Sequence, residues 1–218
     1  MLKRKRENKR CSLLEIVGFL LILLSISLLA YKVFSSMNYQ MEELILIEDF
    51  YDRYGDKSMT PIIEDEVIEE EQQQEEVKQE IPINNIKYIG VLKIDKINLR
   101  KGLVDKTSSY NHVDQNIQIL KESDMPDEEM GNFILAAHSG NGRVAYFRDL
   151  HKLKINDLVN VYYEGINYVY EIVNIYEIEK TGEAHIIRNA SKTTLTLITC
   201  KDNEEKQIII ICELKERN

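Results

Sequence analysis

The sequence is short of positive charge, short of cysteine and free of internal repeats. It holds 28 Lys and Arg against 37 Asp and Glu, a net charge of -9. That shortage argues against a bulk nucleic-acid binder, because phosphate contacts demand a basic face. With 3 cysteines and no C-x-x-C pair, neither a disulfide-dense scaffold nor a Cys-rich structural zinc site is expected. What is present is 218 residues, 44% of them hydrophobic. That suffices for one ordinary domain with an appendage, or two small domains.

Charge and hydropathy divide the chain. Lys3, Arg4, Lys5, Arg6, Lys9 and Arg10 form a basic cluster broken only by Glu7. Ser12 to Phe34 follows, almost wholly apolar, with no charge between Glu15 and Lys32. About 20 helical residues cross a bilayer core, so this stretch is long enough. It is long for the apolar part of a signal peptide, and no A-x-A site follows it. The sequence therefore predicts a cytoplasmic basic tail over 1–11 and an uncleaved anchor over 12–34. The basic cluster precedes the span, so the amino terminus should stay in the cytoplasm and the rest should lie outside. Cys11 reads as an incidental reduced thiol at the membrane edge.

Residues 35–83 read as an extracytoplasmic stalk. Its first part, with Met41, Leu44, Leu46, Phe50 and Tyr54, has near-helical apolar spacing. That fits either an amphipathic helix at the membrane or a helix packed on the folded domain. Glu64 to Glu80 is too acidic to bury a core and reads as a solvated spacer, ending at Pro82.

Residues 84–218 have the texture of a β domain. Strand patterns fall at Tyr88–Ile97, Asn132–Ala137, Asp157–Tyr163, Ile166–Ile178, Thr193–Thr199 and Gln207–Leu214. Glu164-Gly165 reads as a tight turn. Short helices are expected at Asp114–Lys121 and Ala145–Leu153. Short strands joined by turns predict a mainly β fold, a closed or nearly closed barrel.

The candidate chemistry sits at two strand ends. Cys200 closes Thr194–Thr199 and leads into a polar loop; His138 closes Phe133–Ala137 and leads into Ser139-Gly140-Asn141-Gly142. A strand end beside a loop both holds a nucleophile and leaves it accessible. A Cys with a His suits acyl transfer: the thiolate attacks and the imidazolium protonates the leaving amine. Cys212 lies in an apolar run and reads as a buried thiol, with a disulfide to Cys200 the sharper alternative. His112 and His151 read as surface residues.

Thr196-Leu197-Ile198-Thr199-Cys200 resembles the TLxTC signature of the sortases, and Ala137-His138-Ser139-Gly140 resembles their histidine segment. Phe147-Arg148-Asp149-Leu150, Leu153 and Asp157-Leu158-Val159 resemble the family's following helix and strand. The resemblance covers roughly residues 86–216. It implies a sortase-type barrel of about eight strands and a membrane-anchored cysteine transpeptidase of the Gram-positive cell surface. Cys200 would be the nucleophile and His138 the general acid and base. The implied partners are secreted proteins with a Leu-Pro-x-Thr-Gly-like signal, an amine acceptor such as a peptidoglycan precursor or a pilin lysine, and the lipid bilayer. No nucleic acid is implied. His138 precedes Cys200 by 62 residues, which leaves little room for the extra helix of class B. With no second anchor after the domain, the likeness is to class A or D rather than class C.

The resemblance also implies an Arg at the start of the strand after the Cys, to hold the oxyanion or the substrate. Here the only Arg after Cys200 is Arg217, past the expected strand. Lys206 falls near the Arg position but lacks the planar fork. Arg143 and Arg148 are the other candidates. His185 lies in the loop that often walls the sortase substrate groove. No cofactor is expected; the resemblance to some class A enzymes makes Asp105, Glu122 and Asp124 the carboxylates that could join a calcium site, but no tight ligand spacing supports one. Two alternatives stand beside the enzyme: a sortase-fold module that binds a sorting peptide without turnover, and a plain extracytoplasmic cysteine hydrolase.

Overall fold

A computed structural model describes residues 13–54, 86–201 and 205–218. The basic tail, the acidic run Glu64–Glu80 and Pro82 lie outside the described residues. Helix α1 spans Leu13–Tyr54. The chain divides into two compact units, Met1–Glu42 and Glu43–Asn218.

In the first unit the apolar side chains of α1, Phe19, Leu21, Ile22, Leu24 and Leu29 among them, are exposed on every side. A soluble helix would bury one stripe, whereas this surface suits hydrocarbon. The helix is long and apolar enough to cross a membrane.

The second unit is a nearly closed barrel. Its strands are β1 (Tyr88–Ile94), β2 (Leu99–Val104), β3 (Gln118–Ile119), β4 (Asn132–Ala136), β5 (Leu158–Tyr163), β6 (Ile166–Glu179), β7 (Thr194–Cys200) and β8 (Lys206–Arg217). They pair in the order β2-β1-β5-β6-β8-β7-β4-β3, and β2 and β3 at the two ends approach each other. All six expected strands are present. The β5–β6 turn is Glu164-Gly165, both at positive φ (50° and 81°), the conformation that matches hairpin twist.

Two expected helices differ. Asp114–Lys121 holds one turn, closed by Asn116 N to His112 O at 2.8 Å, and then β3. The side chain of Asn111 captures the Ile119 amide at 2.7 Å, so the helix cannot continue. Ala145–Leu153 folds as turns and a single 3-10 segment, Leu150–Lys152. Its apolar residues Phe147, Leu150 and Leu153 do reach the barrel core.

Two-residue alternation builds two apolar layers. Leu195 and Leu197 of β7 and Ile208, Ile210 and Cys212 of β8 face the interior with Leu135, Tyr168 and Tyr170. Ile198, Ile209, Ile211 and Ile134 face outward, yet they are buried too, beneath Ala184 and Ile186 of the β6–β7 connection. The unbroken isoleucine run of β8 is thus the mark of a strand covered on both faces.

The packing alternative for the post-anchor helix is the one observed. Ile47, Phe50 and Tyr51 of α1 are buried against Tyr88, Val91, Val104 and Tyr162. Glu43 adds a polar lock: its carboxylate accepts from the Gly102 amide at 2.9 Å, the Tyr88 hydroxyl at 2.7 Å and the Lys101 ammonium. Lys101 is only 5% exposed, and this partner is what makes its burial tolerable. At the helix end Arg53 donates to the Tyr88 carbonyl at 3.0 Å.

Candidate active site

β4 and β7 run parallel, paired from Asn132↔Thr194 to Ala136↔Ile198. The Ala137 amide still donates to Ile198 O, and the Thr199 hydroxyl donates to Ala137 O at 2.9 Å. Continued to the next position, this register brings His138 level with Cys200. The extended register thus levels Cys200, the last residue of β7, with His138, two residues past the end of β4, and side chains level in a parallel pair share a face. Beneath them the pair is fixed by Asn132, whose side-chain carbonyl accepts from both Thr194 and Thr196 hydroxyls (3.0 and 2.8 Å).

Cys200 is partly exposed and lines a pocket of about 480 Å³. The apolar wall of the pocket is Phe147, Leu150, Leu153, Ile175 and Ile208; Ser139, Arg148, His151, Tyr176, Glu177 and Lys201 supply polar groups. Cys212 is a free, fully buried thiol, and burial pushes its pKa far up. It sits opposite Leu195, five positions along β7 from Cys200, so the two do not flank one turn and the disulfide alternative fails.

His138 is held from three sides. Its carbonyl accepts from the Phe147 amide at 3.0 Å. Arg148 clamps the loop that follows, donating from Nε to Gly140 O (3.0 Å) and from Nη2 to Gly142 O (2.9 Å). Its ring Nε2 lies 2.9 Å from Asp114 Oδ1. That bond holds the Asp114 carboxyl below the usual carboxylate range. The second Asp114 oxygen lies 3.4 Å from His112 Nδ1.

The candidates for the missing arginine separate. Lys206 opens β8, but Cys200 pairs with Gln207, not Lys206. Directly opposed residues share a face, so Gln207 stands beside Cys200 and Lys206 points the other way. Lys206 lies 3.8 Å from Glu177, which also pairs with Lys201 at 2.8 Å; the Lys201 bond holds the Glu177 carboxyl low. Arg148 spends two donors on the loop after His138, and Arg143 is exposed; Arg143, His138 and Gln207 all lie outside the lining of the Cys200 pocket. Arg217 lies inside β8 rather than past it, over the Tyr168 ring at the opposite end from Gln207.

The remaining expectations also find their places. His151 is exposed, as expected, and it also lines the Cys200 pocket, its Nδ1 donating to Arg148 O at 2.9 Å. His185 is exposed on the β6–β7 connection, where its carbonyl accepts from the Tyr176 hydroxyl at 2.9 Å while that oxygen accepts from the Ile187 amide at 2.7 Å. Asp105 caps its own turn at Thr107, and Asp124 accepts from the Asn132 amide. Among the described residues no group of three or more His, Cys, Asp and Glu converges as a metal site. Asp114, Gln207 and Tyr176 were not singled out from the sequence. Only the strand register marks Gln207, and nothing local marks the other two.

A barrel in which β7 ends on a cysteine and a histidine follows two residues after the adjacent parallel strand β4 defines a class of thiol-bearing β-barrel proteins. The sortase domain model matches residues 92–215, and the chain belongs to the sortase family. Sortase A of Bacillus anthracis is 25% identical over 124 residues, which are 56% of this chain and 57% of that protein. The chain therefore spans less than two thirds of the length of that relative. Among solved structures, the Clostridium perfringens sortase D5 transpeptidase superposes with a TM-score of 0.51 at 25% identity, covering 60% of this chain and 80% of its own. Streptococcus pneumoniae sortase C gives 0.53 at 18% identity over 59% and 67%, a likeness of fold alone.

Proposed function

We propose that the chain is a membrane-anchored cysteine transpeptidase with its amino terminus in the cytoplasm and its barrel outside. It cleaves a Leu-Pro-x-Thr-Gly-like signal of secreted proteins and passes the acyl group to a cell-surface amine, such as that of a peptidoglycan precursor. The observation that supports this reading is the parallel β4–β7 register, which ends at Ala136↔Ile198 and, extended two positions, levels His138 with Cys200. The Cys200 thiolate attacks the threonine carbonyl carbon, and the carbonyl π electrons move onto oxygen. The tetrahedral intermediate collapses by breaking the C–N bond, and the His138 imidazolium gives its proton to the departing amine. A thioester remains on Cys200. The acceptor amine then attacks it, His138 takes the amine proton, and the thiolate leaves. Gln207 supplies a neutral N–H donor beside the thiol, suited to the developing oxyanion or to the backbone of an extended peptide.

The neutral Gln207 also favours a second reading, a peptide-binding module of low turnover. One experiment separates the two. A quenched fluorescent Leu-Pro-x-Thr-Gly peptide is incubated with the full chain in detergent micelles, with and without a small primary amine. Cleavage with amine-dependent transfer product supports the transpeptidase; saturable binding without cleavage supports the module; cleavage that an added amine never diverts supports a hydrolase.

A further inference from the structure

The contact between Asp114 and His138 reaches beyond the Cys and His themselves. An ionised carboxylate only accepts hydrogen bonds, so a 2.9 Å contact from Asp114 Oδ1 requires His138 Nε2 to carry the proton. Nδ1 is then the ring nitrogen left for chemistry at Cys200.

Asp114 is placed for this task by its segment. The turn before β3 is closed by Gln115 N to His112 O at 2.9 Å and Asn116 N to His112 O at 2.8 Å. Asn116 is buried and donates to Gly102 O at 3.0 Å, and the neighbouring Ile117 is fully buried. The Tyr146 hydroxyl reaches Gln115 O at 3.4 Å. Asp114 itself is exposed, so its carboxylate projects from a fixed base rather than from a loose loop.

Resting on the transpeptidase reading, we propose that Asp114 is a positioning residue: it fixes the His138 ring with Nε2–H toward the carboxylate and Nδ1 toward Cys200, and it supplies the countercharge for the imidazolium. In the cleavage step Nδ1–H passes its proton to the departing amine while Nε2–H stays on Asp114. In the transfer step Nδ1 takes the acceptor amine's proton back. Asp114 changes neither charge nor bonding, and acts only through the ring. The charged or titratable groups carried by the elements around His138 include His112 and Asp114 before β3, Arg143, Arg148, Asp149 and His151 after β4, Glu177 on β6, and Cys200 and Lys201 at the end of β7. Asp149 pairs with Lys152 and Glu177 with Lys201, whereas Asp114 is the carboxylate at hydrogen-bond distance from the His138 ring.

The test uses the full chain in detergent micelles and the variants Asp114→Ala, Asp114→Asn and Asp114→Glu. Two readouts are followed against pH: peptide cleavage, and alkylation of Cys200 by iodoacetamide, which needs no sorting peptide. Because the site is open to solvent and His138 itself remains, Asp114→Ala should lower kcat about 10-fold, less than the roughly 10²–10⁴ that a general acid and base contributes, with KM little changed. Without the countercharge the alkaline limb of the cleavage profile moves to lower pH, and alkylation near neutral pH slows. Asp114→Glu restores both and Asp114→Asn falls between. If Asp114→Ala keeps the wild-type alkylation and cleavage profiles, or alters only thermal stability, the proposal is overturned. If wild type cleaves no peptide, the transpeptidase reading fails, and the alkylation profile alone decides the role of Asp114.

Discussion

Gln207 lies directly opposite Cys200 across the antiparallel β7–β8 pair. Opposed residues bring their Cβ atoms within about 5 Å, so this amide is the β8 side chain nearest the thiol. The resemblance implies an arginine in this neighbourhood, and the register puts a neutral donor there instead of Lys206. Gln207→Ala should therefore lower kcat about 10²-fold, the loss typical of one oxyanion donor. Gln207→Arg should raise it. Lys206→Ala, which removes one half-exposed ion pair, should stay within about threefold of wild type. Steady-state cleavage by the three variants checks the assignment.

Phe50 measures how firmly the post-anchor helix belongs to the barrel. It is 1% exposed between Tyr51 and the barrel face. Phe50→Ala should cost about 3–5 kcal/mol, the range for a large buried aromatic. Removing Glu43 should also destabilise, because it strands the buried Lys101 ammonium without its carboxylate. Chemical denaturation of the full chain in micelles, followed by tyrosine fluorescence, reads both.

Asp157 sets an acid limit to stability. Burial works to raise its pKa, but the hydrogen bonds from Lys96 Nζ (2.6 and 2.8 Å) and the Lys154 amide (2.6 Å) outweigh it, and the net shift is downward. A carboxyl depressed in the folded state stabilises fully above its unfolded value and loses that contribution as pH falls through the folded one. Asp157→Asn should therefore destabilise at neutral pH, and the gap to wild type should close as pH drops below the ordinary carboxylate range. Thermal unfolding across that range is the check; a gap independent of pH would contradict it.

Tyr176 pins the β6–β7 connection through one oxygen, donating to His185 O and accepting from the Ile187 amide. Tyr176→Phe removes both bonds while keeping the ring. Hydrogen exchange at Ile187 should quicken by about 10-fold, the size expected for one lost hydrogen bond, with exchange in β7 unchanged.

The barrel was legible in the sequence because its strands are written locally. Alternating Val, Ile and Tyr marks β5 and β6, and strand-end context marks Cys200 and His138. β2 escaped notice because Arg100, Lys101 and Gly102 break its apolar pattern, and the group that admits Lys101 to the interior is Glu43, remote in sequence. Asp114 read as helix because its contact lies across the fold. Lys206 drew attention through its charge, whereas the choice between Lys206 and Gln207 depends on a one-residue register that composition cannot encode.

Intact-mass analysis tests the central claim most directly. The full chain is mixed with a Leu-Pro-x-Thr-Gly peptide and quenched in acid within seconds. The account predicts a mass increase equal to the peptide through its threonine acyl group, located on Cys200, absent in Cys200→Ala and discharged by an added primary amine. Peptide cleavage by Cys200→Ala, or cleavage by wild type with the acyl group on any residue other than Cys200, would contradict it.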